Sequence, residues 1–259
     1  MKPAPFALAR PANLAEAVAA LAESGSETRV LAGGQSLGPM LNLRVVQPQR
    51  LVQVNHLPEL AGAAGDPDAI TLGACITHAA IAAGRTPDIT NGALARVAAG
   101  IAYQAVRNRG TIGGSLCHAD PAADWVCALT ALNAEVVLQS ATGVRQMTMV
   151  AFITGAFATA LMPGEMLTGV RIPHPLPNAA FGFAKACRKP GDFAHAMAIA
   201  LIARSTRRLV IGALGGKPLV LGGADASIDG AMAALADVDA VDRQMQRAVV
   251  RRALAEAGG

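Results

Sequence analysis

Two pairs of adjacent glycines, Gly33-Gly34 and Gly113-Gly114, each stand between a short apolar stretch and a helix start, and they restrict this chain more than any other feature. Main-chain N–H groups can converge on an anion only where no Cβ blocks the approach, so paired glycines ending a strand suit an anion nest. The first pair closes Arg29-Val30-Leu31-Ala32 and continues into Gln35-Ser36, after which Leu37 to Leu43 reads as a short helix. The second follows Thr111-Ile112 and continues into Ser115. Hydroxyl and amide donors thus stand beside open backbone at both places, and a pair of nests suits a pyrophosphate. Ordinary tight turns are the alternative, since double glycines are common in loops. Neither turn is G-x-G-x-x-G, and Gly216-Lys217 is followed by Pro218 without the leading glycine of a P-loop, so both nucleotide-binding signatures are missing.

A chain of 259 residues has room for two domains. Asn13 and Glu16 mark a helix start, and Leu14, Ala17, Val18 and Leu21 repeat with helical spacing until Gly25. Leu51 to Asn55 alternates as a strand, Leu60 to Ala64 and Ile70 to Gly73 form a hairpin, and Thr77 caps a helix ending near Gly84. This gives a first lobe of residues 1–85. In a second lobe, 86–176, Ile89 to Ala99 is helical, and Ala102 to Arg109 leads into the second glycine turn. A helix from Pro121 to Leu132, a hairpin of Glu135 to Gln139 with Val144 to Thr148, and a strand from Met166 to Ile172 complete that lobe. The cluster Pro173, Pro175 and Pro177 sets a domain boundary, with 1–176 before it and 177–259 after it. Beyond it, Ala179 to Ala186, Ala196 to Ala203 and Arg208 to Ala213 predict a small antiparallel sheet, followed by helices at Ala231 to Ala236 and Val241 to Ala257.

Composition removes several function classes. Only 3% of residues are aromatic, and the net charge is +4, which argues against a stacking platform for nucleic acid. No run of eighteen apolar residues occurs, so no membrane span is expected, and the N-terminus lacks a secretion signal, leaving the cytoplasm as the expected location. Cys75, Cys117, Cys127 and Cys187 form no C-x-x-C pair, so an iron–sulfur cluster would have to reside on another chain. Cys75 with His78 is a C-x-x-H pair, but it offers too few ligands for a metal site. No serine lies in a G-x-S-x-G elbow. Arg243, Arg247 and Arg251 recur every four residues and read as a solvated basic face.

Three segments carry a family likeness: Leu31-Ala32-Gly33-Gly34-Gln35-Ser36-Leu37, Val106-Arg107-Asn108-Arg109-Gly110-Thr111-Ile112-Gly113-Gly114-Ser115, and His118-Ala119-Asp120-Pro121-Ala122-Ala123-Asp124. Together with Pro163-Gly164-Glu165-Met166-Leu167, Phe183-Ala184-Lys185 and Arg188 to Ala194, they resemble the FAD-binding medium subunit of the molybdenum hydroxylases, the xanthine dehydrogenase and carbon monoxide dehydrogenase family. The resemblance implies an α+β, two-lobed FAD-binding fold of the vanillyl-alcohol oxidase (PCMH) type, plus a small C-terminal α+β domain of the carbon monoxide dehydrogenase flavoprotein type. It implies non-covalent FAD in this chain, with 2Fe-2S clusters and the molybdopterin cofactor on small and large partner subunits, in a dimer of heterotrimers. The connection at Ser205 to Arg208 and the short stretch after Leu221 depart from the family pattern and suggest a trimmed C-terminal domain.

Carried over position by position, Ala32, Gly33, Gly34, Gln35, Ser36 and Leu37 would wrap the FAD diphosphate together with Thr111, Ile112, Gly113, Gly114 and Ser115. Ala119, Asp120, Asp124, Leu167, Lys185 and Phe193 would make further cofactor contacts, with no catalytic residue and no metal ligand in this chain. Chemistry leaves alternatives for some of these. Asp124 would accept from ribityl or ribose hydroxyls, or simply favour a helix dipole. Lys185 would lie near the flavin or be a solvated strand lysine, and Phe193 would stack on the ring system or be core. The implied function is electron transfer from the iron–sulfur subunit through FAD to an external acceptor, which the sequence does not identify. A self-contained flavin oxidase or reductase and a cofactor-free assembly subunit are the competing functions.

Overall fold

Local chemistry starts the fold where the sequence places it. Asn13 Oδ1 accepts from the Glu16 N–H at 2.9 Å, and the Glu16 carboxylate reaches back to Ala12 N at 2.7 Å, a reciprocal cap that begins a helix. The computed structural model describes residues 2–24, 27–174 and 178–258. Its first unit contains β1 (Ala7–Ala9), α1 (Leu14–Ser24), β2 (Thr28–Leu31), α2 (Leu37–Asn42) and β3 (Arg50–Gln53). The three strands are parallel in the order β1-β3-β2, and α1 covers them through Ala17, Val18 and Leu21, packed with Val52 and Val54.

The second unit runs β4 (Ala63–Gly65), β5 (Ala69–Gly73), α3 (His78–Ala82), α4 (Ala93–Ala99), α5 (Gln104–Arg107), α6 (Ile112–His118) and α7 (Asp124–Ala131). It continues through β6 (Glu135–Ser140), β7 (Gly143–Thr148), α8 (Met149–Phe152), β8 (Ile153–Gly155), β9 (Ala158–Thr159) and β10 (Met166–Pro173). An antiparallel five-stranded sheet results, ordered β4-β5-β10-β6-β7, and its core holds the fully buried Trp125, Leu129, Leu138 and Phe152. The Pro163-Gly164 turn before β10 is anchored by Glu165, whose two carboxylate oxygens each accept from Arg145 at 2.7 Å.

The third unit is an antiparallel meander of β11 (Ala180–Ala186), β12 (Ala196–Ala203), β13 (Thr206–Gly212) and β14 (Leu219–Gly222), followed by α9 (Ile228–Ala234) and α10 (Ala240–Glu256). The strand alternation of β12 serves two cores. Ala196, Ala198 and Ala200 pack with Val249, Val250 and Ala253 of α10, while Met197 and Ile199 pack with Trp125 and Cys127 of α7. The sheet is therefore covered on both faces, and the small residues toward α10 let that helix approach closely.

Several expectations need correction. The 63–73 hairpin belongs to the five-stranded sheet, so the sheets change over between Gln53 and Ala63 rather than at residue 85. The helix expected from Ile89 begins at Ala93, because the Asp88 carboxylate captures Thr90 N, Thr90 Oγ1 and Gly92 N in a local turn. Strand β14, short helix α8 and hairpin β8–β9 were not expected. The boundary at 176/177 and the end of the first helix at Gly25 fall on residues outside those described. Among the described residues, no helix is long and apolar enough to cross a membrane.

Gly182 shows how tightly the third unit is closed: a Cβ built there would lie 1.9 Å from the Ala253 carbonyl oxygen of α10. Gly182→Ala must push helix and sheet apart, and we expect it to destabilise the chain by about 2 kcal/mol or more, read as a lowered urea midpoint.

Candidate functional site

The first glycine turn is held open by its own backbone. Gly34 has a φ of +72°, a conformation that side chains disfavour, and Gln35 Nε2 donates to Gly33 O at 2.9 Å. Gly38 N donates to Gly34 O at 2.9 Å and starts α2. The N–H groups of Gly33, Gly34, Gln35 and Ser36 donate to no acceptor among the described residues, and Ser36 makes no side-chain cap. Gly33 is itself buried, and a main-chain donor left unpaired in a buried residue is uncommon.

The second turn is built differently, and its expected role as a loop needs correction. Residues Ile112–His118 are helix α6, with Gly113 and Gly114 inside its first turn. Thr111 Oγ1 caps Gly114 N at 3.1 Å, Ile112 N donates to Ile76 O at 3.0 Å, and Gly113 N donates to Ala74 O at 2.9 Å. Its amides are thus committed within the protein. Gly113 is needed for packing, since a Cβ there would stand 2.6 Å from Ala74 Cβ. What this turn presents instead are the exposed Gly114 and the Ser115 hydroxyl, which has no partner among the described residues.

The two turns meet. A Cβ on Gly33 would fall 2.1 Å from Arg109 O and 2.9 Å from Gly110 Cα, so the first turn lies main chain to main chain on the segment leading into Thr111. From there a chain of contacts runs inward. His78 N donates to Gly110 O at 2.9 Å, and its ring edge would be 2.9 Å from a Gly110 Cβ. Trp125 Nε1 donates to His78 Nδ1 at 3.0 Å, which leaves the ring proton on Nε2. Burial first, and the charge of Arg107 second, push His78 down to about 4.

Asp124, at the start of α7, is next to Trp125. Its Oδ1 lies 2.9 Å from Lys185 Nζ without hydrogen-bond geometry, and Lys185 Nζ donates to Gly100 O at 3.1 Å. The two side chains are 6% and 8% exposed, so Lys185 is no solvated strand lysine. Burial raises the Asp124 carboxyl above its usual range, against the opposing pull of Lys185.

The remaining expected residues are less tightly gathered. Leu37 begins α2 directly after the first turn. Ala119 takes a left-handed conformation at the end of α6, and Asp120 Oδ1 accepts from Ala122 N at 2.9 Å. Leu167 is buried at an irregularity of β10, with its backbone against the Cys117 thiol. Phe193 is 62% exposed, so it is not core, and no described contact joins it to either turn. Its loop is tied to the second unit through Ala102 N to Gly191 O at 3.1 Å.

Cys75 and His78 share no site: the thiol faces Val54 O and the imidazole faces Trp125. Among the described residues no metal-ligating cluster occurs. Sequence reasoning weighed His78 only as half of a C-x-x-H pair and gave Trp125 no role, its one signal being that it is the sole tryptophan of the chain.

The free donors and open cradle of the first turn fit the diphosphate of a dinucleotide such as FAD. Gly33→Ala, which drives a methyl into the Arg109 carbonyl, is expected to weaken FAD binding at least about tenfold in a fluorescence titration. Lys185→Met strands the Asp124 carboxylate and should lower the stability of the cofactor-free chain by about 3 kcal/mol or more. The double change Asp124→Leu with Lys185→Met should recover most of that loss in urea unfolding.

The family described as the FAD binding domain in molybdopterin dehydrogenase matches residues 4–175. The alpha subunit of the 6-hydroxypseudooxynicotine dehydrogenase complex of Paenarthrobacter nicotinovorans is 36% identical over 202 residues, covering 78% of this chain and 68% of that protein. The carbon monoxide dehydrogenase medium chain of Hydrogenophaga pseudoflava is 35% identical over 196 residues, covering 76% and 68%. Among solved structures, quinoline 2-oxidoreductase from Pseudomonas putida 86 superposes with a TM-score of 0.89 at 30% identity, covering 100% of this chain and 99% of the other. That superposition runs through the third unit as well as the first two. On the fold, the open glycine turn and the match over residues 4–175, the chain belongs to the FAD-binding domains of the molybdopterin dehydrogenases, as an FAD-binding medium subunit.

Proposed function

We propose that this chain binds FAD between its first two units and serves as the electron-transfer subunit of a heteromeric molybdenum hydroxylase. The observation that carries this reading is a turn with four amides, Gly33 to Ser36, that have no acceptor among the described residues, seated directly on the backbone that leads into the second turn. FAD supplies the redox chemistry when bound, accepting electrons from a partner and passing them on. The protein's part is to bind, orient and shield it.

Within that division, the amides of Gly33, Gly34, Gln35 and Ser36 donate to the diphosphate, flanked by Ala32 and Leu37. Thr111, Ile112, Gly113 and Gly114 shape the opposing wall, and Ser115, Ala119 and Asp120 offer polar and main-chain contacts to the ribityl chain. Leu167 gives an apolar contact. Asp124 and Lys185 act as a neutral pair at the base of the site rather than as two independent ligands, since each holds the other. Phe193, exposed on the Cys187–His195 loop, is placed to cover the flavin edge. Residues 1–176 form the FAD-binding domain and 177–259 the C-terminal one.

The partners in this reading are a small subunit with 2Fe-2S clusters and a large subunit with the molybdopterin cofactor, in a cytoplasmic dimer of heterotrimers. The carbon monoxide dehydrogenase relative is named a medium chain and the 6-hydroxypseudooxynicotine dehydrogenase relative a complex subunit, which supports a multichain assembly.

Isolation of the native complex tests this. We expect the chain to copurify with a larger and a smaller chain, with FAD, molybdenum and iron all present. A chain that carries no flavin and takes up none would be an assembly subunit instead. Turnover of an organic donor by this chain alone would make it a self-contained flavin enzyme.

A further inference from the structure

The contact between the two turns depends on a residue that itself touches neither of the expected phosphate ligands. Gly110 is pressed from two sides: Gly33 lies on one, at a spacing that leaves no room for a Cβ, and the His78 ring lies on another. His78 also holds this segment through its main chain, donating to Gly110 O at 2.9 Å, and Thr77 bridges to Thr111 beside it. The ring is fixed in turn by Trp125 Nε1, 3.0 Å from Nδ1, inside the core of the second unit.

We propose that His78, held by Trp125, is a positioning residue for FAD binding, which sets the Arg109-Gly110 segment at the height where the first glycine turn can seat on it. This deepens the cofactor reading above and rests on it. The hydrogen bond requires a neutral ring. An indole N–H only donates, so Nδ1 must carry a lone pair; a protonated imidazole would oppose donor to donor and be driven from Trp125 toward Gly110.

The charged groups on the elements around it do not favour a cation. Arg107 of α5 opposes one, and Asp124 of α7 is committed to Lys185. Arg96 of α4 is paired with Glu256, and α3 itself carries no acidic residue. Burial and Arg107 thus place the folded ring at about 4, below the ordinary 6.5. The folded chain therefore binds fewer protons than the unfolded one between those limits. Folding stability from this group therefore declines below the ordinary value, whereas the hold on Gly110 persists while the folded ring stays neutral and is lost as pH falls through about 4.

FAD titration of the cofactor-free full chain, followed by quenching of flavin fluorescence at a series of pH values, tests the proposal. Wild type should bind tightly near neutrality and lose affinity as pH falls through about 4. In His78→Asn, the side-chain oxygen can accept from Trp125 but cannot titrate in this range. It should bind FAD roughly tenfold more weakly at neutral pH and keep that affinity through the acid window. Trp125→Phe, which fills most of the same space and should fold, removes the donor, and its acid loss should move upward toward the ordinary histidine value. Superimposable pH profiles for wild type and His78→Asn, or an unshifted profile for Trp125→Phe, would overturn the proposal while leaving FAD binding intact. Failure of wild type to take up FAD at any pH would remove the cofactor reading itself.

Discussion

Gly33 on Arg109-Gly110 is a contact made by what is missing. With a Cβ position 2.1 Å from a carbonyl oxygen, no other residue type fits at position 33, and the first unit meets the second at bare backbone. Because the contact rests on shape rather than on hydrogen bonds, it consumes none of the turn's N–H groups. They are left free to face a ligand at the seam between two units. Everything else at the site serves that seam: Gly34 turns the chain away with a φ of +72°, and Gly110 must also lack a side chain because the His78 ring stands against it.

The paired glycine turns look alike in sequence yet differ in physics. In the first, the glycines supply donors and curvature. In the second they supply room, since Gly113 fits against Ala74 and its N–H is spent on Ala74 O, while Thr111 caps Gly114. Residues Ala74 to His78 act as a template on which Gly110 to Gly113 are laid, through His78 N to Gly110 O, Ile112 N to Ile76 O and Gly113 N to Ala74 O. In the proposed site, a fixed wall opposite a donor-rich turn would hold an extended dinucleotide with less ordering on binding than two loose loops would require.

Much of this could be read before the structure. The first glycine turn, the capped start at Asn13, the hairpin of β6 and β7 and the antiparallel β11–β13 all follow from local periodicity and turn chemistry, and the structure contains them. What escaped depends on contacts distant in sequence. That β4 and β5 join β10 is a pairing across about a hundred residues, and no local signal in Ala69 to Gly73 reveals it. Strand β14 is four residues long, too short for its alternation to stand out. At the site, the C-x-x-H spacing is too poor in ligands for a metal, and nothing local shows that His78 is held by a tryptophan 47 positions away. Lys185 read as a solvated or flavin-side lysine because a buried ion pair leaves no mark on either partner's neighbours in sequence.

That pair explains why a C-terminal sheet belongs to a cofactor-binding chain at all. Desolvation dominates at Asp124, so the pair adds little to stability compared with apolar residues of the same size; what it penalises heavily is any arrangement in which one charge is buried alone. Only a register of β11 against α7 that brings Lys185 to Asp124 escapes the penalty. The alanines of β12, and Gly182 of β11, let α10 lie close on one face of the sheet while Met197 and Ile199 fill the α7 core on the other. Once docked, the sheet fixes the first turn of α7, which carries Trp125 beside Asp124. Through His78 and Gly110, the position of that turn is passed on to the floor under Gly33. The third unit is thereby linked, contact by contact, to the backbone on which the first glycine turn sits.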